Sequence, residues 1–192
     1  MRKKNNLKVI VTLLIVTVLC ICVVIRFFSI NSKYPQNEKV VYKMGDSFVC
    51  QNAKFTITDT YMLKRMDIMN DDDLSEYLEE NSDYLKSEDL NLGLIKIIIS
   101  NTTDDEITVD LTAFHIESGA FSLQFYYPLV MYYNDCGMYI KLSKGEQKTF
   151  IAPVPISSEQ FLNYDSTDIR NRTYYLVSSL YPQKIMSEVK FN

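Results

Sequence analysis

Residues Leu92 to Leu111 read LGLIKIIISNTTDDEITVDL. The run from Leu92 to Ile99 is apolar except for Lys96 and rich in branched side chains, which predicts a strand covered on both faces. After Asp104, Asp105 and Glu106 the pattern changes to strict alternation, with Ile107, Val109 and Leu111 set against Thr108 and Asp110. That period of two is the mark of a half-buried strand. Thr102 to Glu106 has a suitable length for a hairpin loop between the two. The carboxylates raise the question of a cation site, but in such a loop they stay hydrated and oppose pairing with other chains.

The same periodicity extends both ways from this stretch. Downstream, AFHIES, GMYIKL, KTFIAPVPI and TYYLVSSLY follow, separated by the turn signals Ser143-Lys144-Gly145-Glu146 and Asn163-Tyr164-Asp165-Ser166. Everything from Leu92 to the end therefore reads as β, with Pro153 and Pro155 confining their segment to an edge or a bulge. Upstream, Gly45, Asp46 and Ser47 turn the chain into SFVCQNAKFTITDTYML, where Phe55 and Ile57 alternate with Thr56 and Thr58. Short strands at this spacing, with no helices between them, predict an all-β antiparallel β-sandwich.

Residues 70–90, NDDDLSEYLEENSDYLKSEDL, break the pattern, and nine of the 21 are acidic. Asp73 and Glu76 have capping-box spacing, and Leu74, Tyr77 and Leu78 share one helical face, so a short surface helix inserted in the sandwich is expected. Read as a calcium loop from Asp71, the segment puts Glu76 where glycine is required and Ser82 where the bidentate glutamate belongs. A solvated helix fits better.

The N-terminus is of another kind. Arg2, Lys3, Lys4 and Lys8 precede VIVTLLIVTVLCICVVI, Val9 to Ile25, which rises about 25 Å as a helix. Arg26 can snorkel while Phe27, Phe28 and Ile30 prolong the apolar stretch. The cation bias puts the N-terminus inside. The run is long for a signal core, no small-x-small cleavage site follows it, and Cys20 and Cys22 lack the small preceding residue a lipid-attachment site needs. The expected plan is a basic tail at 1–8, a transmembrane anchor at 9–30 with a cleaved signal sequence as the alternative, a linker at 31–45, and an extracytoplasmic domain at 46–192 carrying the insertion at 70–90. Residues 1–30 hold five Lys/Arg and no Asp/Glu, so the other 162 carry 15 basic and 24 acidic side chains. An acidic soluble part argues against nucleic acid as a partner.

Catalytic chemistry has little to work with. His115 is the one histidine, and its place between Phe114 and Ile116 points it outward, as a surface histidine. Without a second histidine or a cysteine pair at ligand spacing there is no zinc site. The outline of anchor, β-rich domain, Cys136, His115, Arg170 and Arg172 suggests a sortase-like transpeptidase. However, Asp135 beside Cys136 would raise the thiol pKa, and no Thr-Leu-x-Thr-Cys strand end is present. Cys50 and Cys136 either pair outside the cell, closing a loop worth about 4 kcal/mol, or stay as two buried thiols. FYYPLVMYY, 125–133, is the most distinctive stretch. Its tyrosines Tyr126, Tyr127, Tyr132 and Tyr133 either form a recognition patch or pack in the core and on a sheet face. With Glu76, Glu79 and Glu80 they make up the candidate binding surface. No catalytic, cofactor or metal residues are expected.

Three stretches together resemble a family: MGDSFVCQNAKFTITDTYM, GLIKIIISNTTDDEITVDLTAFHIESGAF and LSKGEQKTFIAPVPIS. With YYLVSSLYPQKIMSEVKF they are similar, over residues 43–191, to anchored immunoglobulin-like ectodomains of unknown function from Gram-positive bacteria, of the telokin-like extracellular type. Asn101-Thr102, Phe114, and Leu142 with Gly145-Glu146 carry the likeness. The resemblance implies an immunoglobulin-like sandwich and an exported location, and it brings no catalytic residues. The acidic insertion and the missing lipid-attachment motif depart from the pattern. The expectation is a binding module at the cell envelope with a protein partner; the alternative is an accessory subunit held in a membrane complex through its anchor helix.

Overall fold

The computed structural model describes residues 2–33, 38–81, 89–157, 160–161 and 169–191. It has two units, Met1–Asn37 and Glu38–Asn192. The first is helix α1, Arg2–Lys33. Its stretch Thr12–Lys33 is long and apolar enough to cross a membrane: 22 residues rise about 33 Å, the thickness of a bilayer core.

The second unit is a β-sandwich. Strands β1 (Lys39–Tyr42), β6 (His115–Ser118), β7 (Phe121–Gln124), β10 (Tyr174–Ser179) and β11 (Lys184–Val189) form a five-stranded sheet in the order β1-β11-β10-β6-β7. Strands β2 (Ser47–Cys50), β3 (Ala53–Lys64), β4 (Asn91–Asn101) and β9 (Gln147–Ile156) form a four-stranded sheet in that order. A small third ladder joins β5 (Ile107–Asp110) to β8 (Tyr139–Leu142). All ladders are antiparallel except β1 with β11. One core lies between the sheets: Phe55 and Ile57 of β3, Ile95, Ile97 and Ile99 of β4, and Phe150 of β9 meet Ile116, Tyr174, Leu176 and Val189 of the facing sheet, with Phe114 from the loop before β6. Phe55 stacks between Phe48 and Phe114, with ring centroids 5.3 Å from each.

Four expectations change. The double covering of the Leu92 run holds only at its start: Leu92 and Leu94 are buried on the outer face of the sheet beneath short helices, whereas Lys96 is exposed. Thr102–Glu106 is not a hairpin loop, because β4 pairs with β3 and β9 while β5 pairs with β8. It carries the chain from one sheet to another. Buried Asn101 holds that passage: its amide donates to the carbonyls of Asp105, Leu142 and Ser143, and its oxygen accepts from Thr103 N–H at 2.8 Å. Asp104 ends in an exposed 2.6 Å ion pair with Lys144. The stretch read as linker contains β1, since the alternation of KVVY lets it add to the free side of β11. Finally, the β reading after Leu92 is interrupted by helix α4, Tyr127–Tyr133. The turn signal at 163–166 and residues 82–88 of the insertion lie outside the described residues.

Side-chain amides complete two strand edges. Asn134 donates to Ile151 O at 2.9 Å and accepts from Ile151 N–H at 2.8 Å, pairing with the outer edge of β9 as a neighbouring strand would. Gln51 does the same to Asp110 on β5, at 2.7 Å both ways. Gln51 and Asn52 themselves turn β2 into β3 with φ of 51° and 63°, the type I′ geometry of a two-residue hairpin.

Candidate functional site

The acidic insertion and the tyrosine-rich stretch, joined through Tyr77 and Pro128 at 51 positions' separation, come together on the outer face of the four-stranded sheet. After β3, helix α2 (Arg65–Met69) begins with Asp67 accepting Lys64 N–H at 2.8 Å. Helix α3 (Asp72–Asn81) follows. Its cap is Asp71, whose Oδ1 accepts Leu74 N–H at 3.1 Å, two residues earlier than the Asp73–Glu76 box read from the sequence. The apolar face is the expected one. Leu74 and Leu78 are buried with Ile68, Leu90, Leu92, Leu94 and Leu129 in a second core.

Helix α4 supplies Leu129. Pro128 stands in its first turn, where its missing N–H removes no bond and its fixed φ suits the helix. The signal was present in the sequence as Tyr-Pro followed by apolar residues at helical spacing. Tyrosine's strand preference masked it. Leu129 and Val130 turn inward. The two helices are joined directly: Tyr77 Oη donates to Pro128 O at 2.9 Å, and the Tyr77 and Tyr132 rings lie 5.0 Å apart. Tyr133 meets Tyr132 edge-on, also at 5.0 Å.

The candidate residues therefore divide. Tyr126, Tyr132 and Tyr133 are half-buried against the second core, but Tyr132 and Tyr133 lie on α4 and Tyr126 caps its start, rather than on the sheet face expected for packed tyrosines. Tyr127 is 56% exposed, beside Met131 at 45%. Glu76, Glu79 and Glu80 are exposed on α3. The carboxylates that act on the tyrosines are others, Asp71 and Asp73, which the sequence reading weighed only as a calcium-loop start and a helix cap. Burial pushes the Tyr132 phenol up, and Asp71 and Asp73 push it further. Tyr133 is raised strongly by burial, with Tyr132, Asp71 and Tyr61 adding to it.

A surface depression of about 550 Å³ adjoins the end of α4, lined by Asn134, Asp135, Cys136, Gln147, Lys148 and Thr149 among others. Burial is the main force raising the Cys136 thiol; Lys148 opposes it and Asp135 adds to it. Cys50 is raised by burial too, against bonds from Ser178 and Gln51. Of the two alternatives for this pair, the structure has the second: both are free thiols. Cys50 ends β2, at one edge of the four-stranded sheet, with its Sγ 3.5 Å from Ser178 O. Cys136 lies beside β9 at the other edge, about 14 Å away at 4.8 Å per strand. Bridging requires Cα atoms within about 7 Å.

The residues of the sortase-like outline have separate neighbours. His115 is held between Ala113 O at 3.1 Å and Glu117 at 3.0 Å, and is more enclosed than a surface histidine. Arg170 donates to Met62 O, and Arg172 lies over the Phe161 ring at 4.3 Å. Among the described residues no three His, Cys, Asp or Glu side chains are grouped as a metal site would need.

The fold and this face define a β-sandwich module, backed by short helices, with an aromatic surface beside carboxylates. The chain belongs to the family described as Domain of unknown function (DUF5028), whose profile matches residues 31–185. No curated protein matches it. Among solved structures it is similar to a Bacillus subtilis protein proposed to be a lipoprotein, at 13% identity and a TM-score of 0.49. The match covers 75% of this chain but only 38% of that one. It is also similar to a hypothetical protein of Bacillus anthracis, at 12% identity and a TM-score of 0.44, covering 76% and 94% of the two chains. An uncharacterised β-sandwich protein of Clostridium difficile 630 matches at 12% identity and a TM-score of 0.41, covering 81% and 98%.

Proposed function

We propose that this protein is a membrane-anchored, extracytoplasmic module of immunoglobulin-like type that binds a protein partner at the cell envelope and performs no catalysis. Helix α1 is the single-pass anchor, with the basic tail in the cytoplasm, as the four cations before its apolar run favour. The observation that carries the binding reading is the convergence of α3 and α4. An acidic helix and a tyrosine-rich segment, the latter of recognition-prone composition, are packed together and leave Tyr127 and Met131 in solvent. The thiols support a non-catalytic reading, because burial drives them away from the thiolate that a nucleophile needs.

Capture of partners from native membranes by the full chain tests this. Tyr127→Ala with Met131→Ala, and separately Glu76, Glu79 and Glu80→Gln, should lose the partner while thermal unfolding stays unchanged. Capture equal to that of the parent chain would refute the face. Replacing α1 with an unrelated apolar helix separates the second reading: loss of partner from that exchange alone would make the protein an accessory subunit held through its anchor.

A further inference from the structure

Tyr181 is the most exposed large hydrophobic side chain among the described residues, at 80%, and its neighbour Leu180 is 55% exposed. They form the tip between β10 and β11, standing away from both cores. The tip is tied to the place where the domain begins. Lys184 N–H donates to Glu38 O at 2.9 Å, Gln183 Nε2 donates to the Glu38 carboxylate at 3.0 Å, and β1 starts in register with Lys184. At the tip itself the Glu38 carboxylate accepts from Gln183, Lys184 pairs with Glu117, and Lys39 is exposed.

Five residue steps separate Lys33, the end of α1, from Glu38. Such a tether reaches at most about 18 Å, half of the roughly 36 Å that the twelve residues of β3 span. With α1 in a bilayer, chain length alone holds Glu38, to which the tip is bonded, within about 18 Å of the end of that helix. An amphipathic ring, an aliphatic neighbour and a lysine are the side chains that settle at the boundary of headgroups and acyl chains.

We infer that Leu180 and Tyr181 dip into the interfacial layer of the membrane that holds α1, making the β10–β11 tip a second, lipid-facing contact of the domain. This rests on α1 being an anchor. Burial of apolar surface drives the contact, so zwitterionic lipid suffices and salt has little effect.

The chain contains no tryptophan, so a single introduced one reports its own surroundings. Full-length chains bearing Tyr181→Trp, Leu180→Trp or, as the distant comparison, Met66→Trp in α2 would be reconstituted in phosphatidylcholine vesicles with acyl chains brominated near the headgroup. Met66 is 74% exposed, so the comparison starts from a solvated position. The inference expects blue-shifted emission and strong bromolipid quenching at 180 or 181, unchanged in high salt. Tryptophan at 66 should be quenched only by aqueous iodide. If the chains float with the vesicles yet tryptophan at 181 and 180 responds to iodide as 66 does, the tip contact is overturned and the anchor stands. If the chains do not float, the anchor reading fails and the contact fails with it.

Discussion

Gly93 lies in the apolar run of β4 with the Phe191 ring packed over it. A Cβ at this position would stand 2.6 Å from Phe191 Cζ. Gly93→Ala must displace a ring that also contacts Tyr174 at 5.2 Å. It is expected to lower stability by about 1–3 kcal/mol, read as a fall in the urea midpoint, with Phe191→Leu recovering part of the loss in the same chain. Glu117 sets a pH dependence. Burial works to raise its carboxyl, but hydrogen bonds from Lys184 and His115 outweigh it and hold the group below the usual range. Folding therefore favours the ionised form. Its contribution is complete above the unfolded carboxylate value near about 4.3 and is lost as pH falls through the lower folded value. Glu117→Gln should flatten the acid limb of the unfolding profile below about pH 4.3; an unchanged limb would contradict this. Asn101 shows what a residue's neighbours in sequence cannot tell. Its place at a strand end was readable, but its bond to Leu142 O links residues 41 positions apart.

The helices α2, α3 and α4 are held by one small core rather than by their own length, since α2 and α4 have only five and seven residues. Leu78 is 1% exposed in that core. Leu78→Ala is expected to cost about 2–5 kcal/mol, with loss of near-ultraviolet dichroism from the Tyr77–Tyr132 pair alongside the lower midpoint. Strands were legible because alternation is local: Val109, Ile140 and Phe150 are buried where period two puts them. So was the inward face of α3, through Leu74 and Leu78. Pairing was not legible, because nothing between Asn101 and Ile107 records that β5 will meet β8. Nor was the meeting of Tyr77 with Pro128, which depends on two insertions landing on one sheet face. The Gln51-Asn52 turn lacked the glycine that marks such hairpins. Asparagine's tolerance of positive φ was the one local hint.

The molecule as a whole carries four cysteines, and the structure leaves every one a thiol. Alkylation of the unfolded, unreduced chain should therefore add four labels by mass; two would reveal a bridge. In the folded domain Cys50 and Cys136 should react more slowly than a free thiol at the same pH, since burial disfavours their thiolates. The β-sandwich and an apolar N-terminal helix, read at 9–30 and found within Arg2–Lys33, were legible at this scale, because composition and periodicity are properties of long stretches. The arrangement of the edges was not, because a single side chain completes each. There Asn134 has a consequence measured in time. Its amide is followed by Asp135 and bears on Ile151 through both its atoms. Hydrolysis of that amide, the ordinary chemical ageing of asparagine, would replace the donating nitrogen with a carboxylate oxygen facing the Ile151 carbonyl. The pairing would turn into repulsion, and old molecules would expose a backbone edge that newly made ones keep closed.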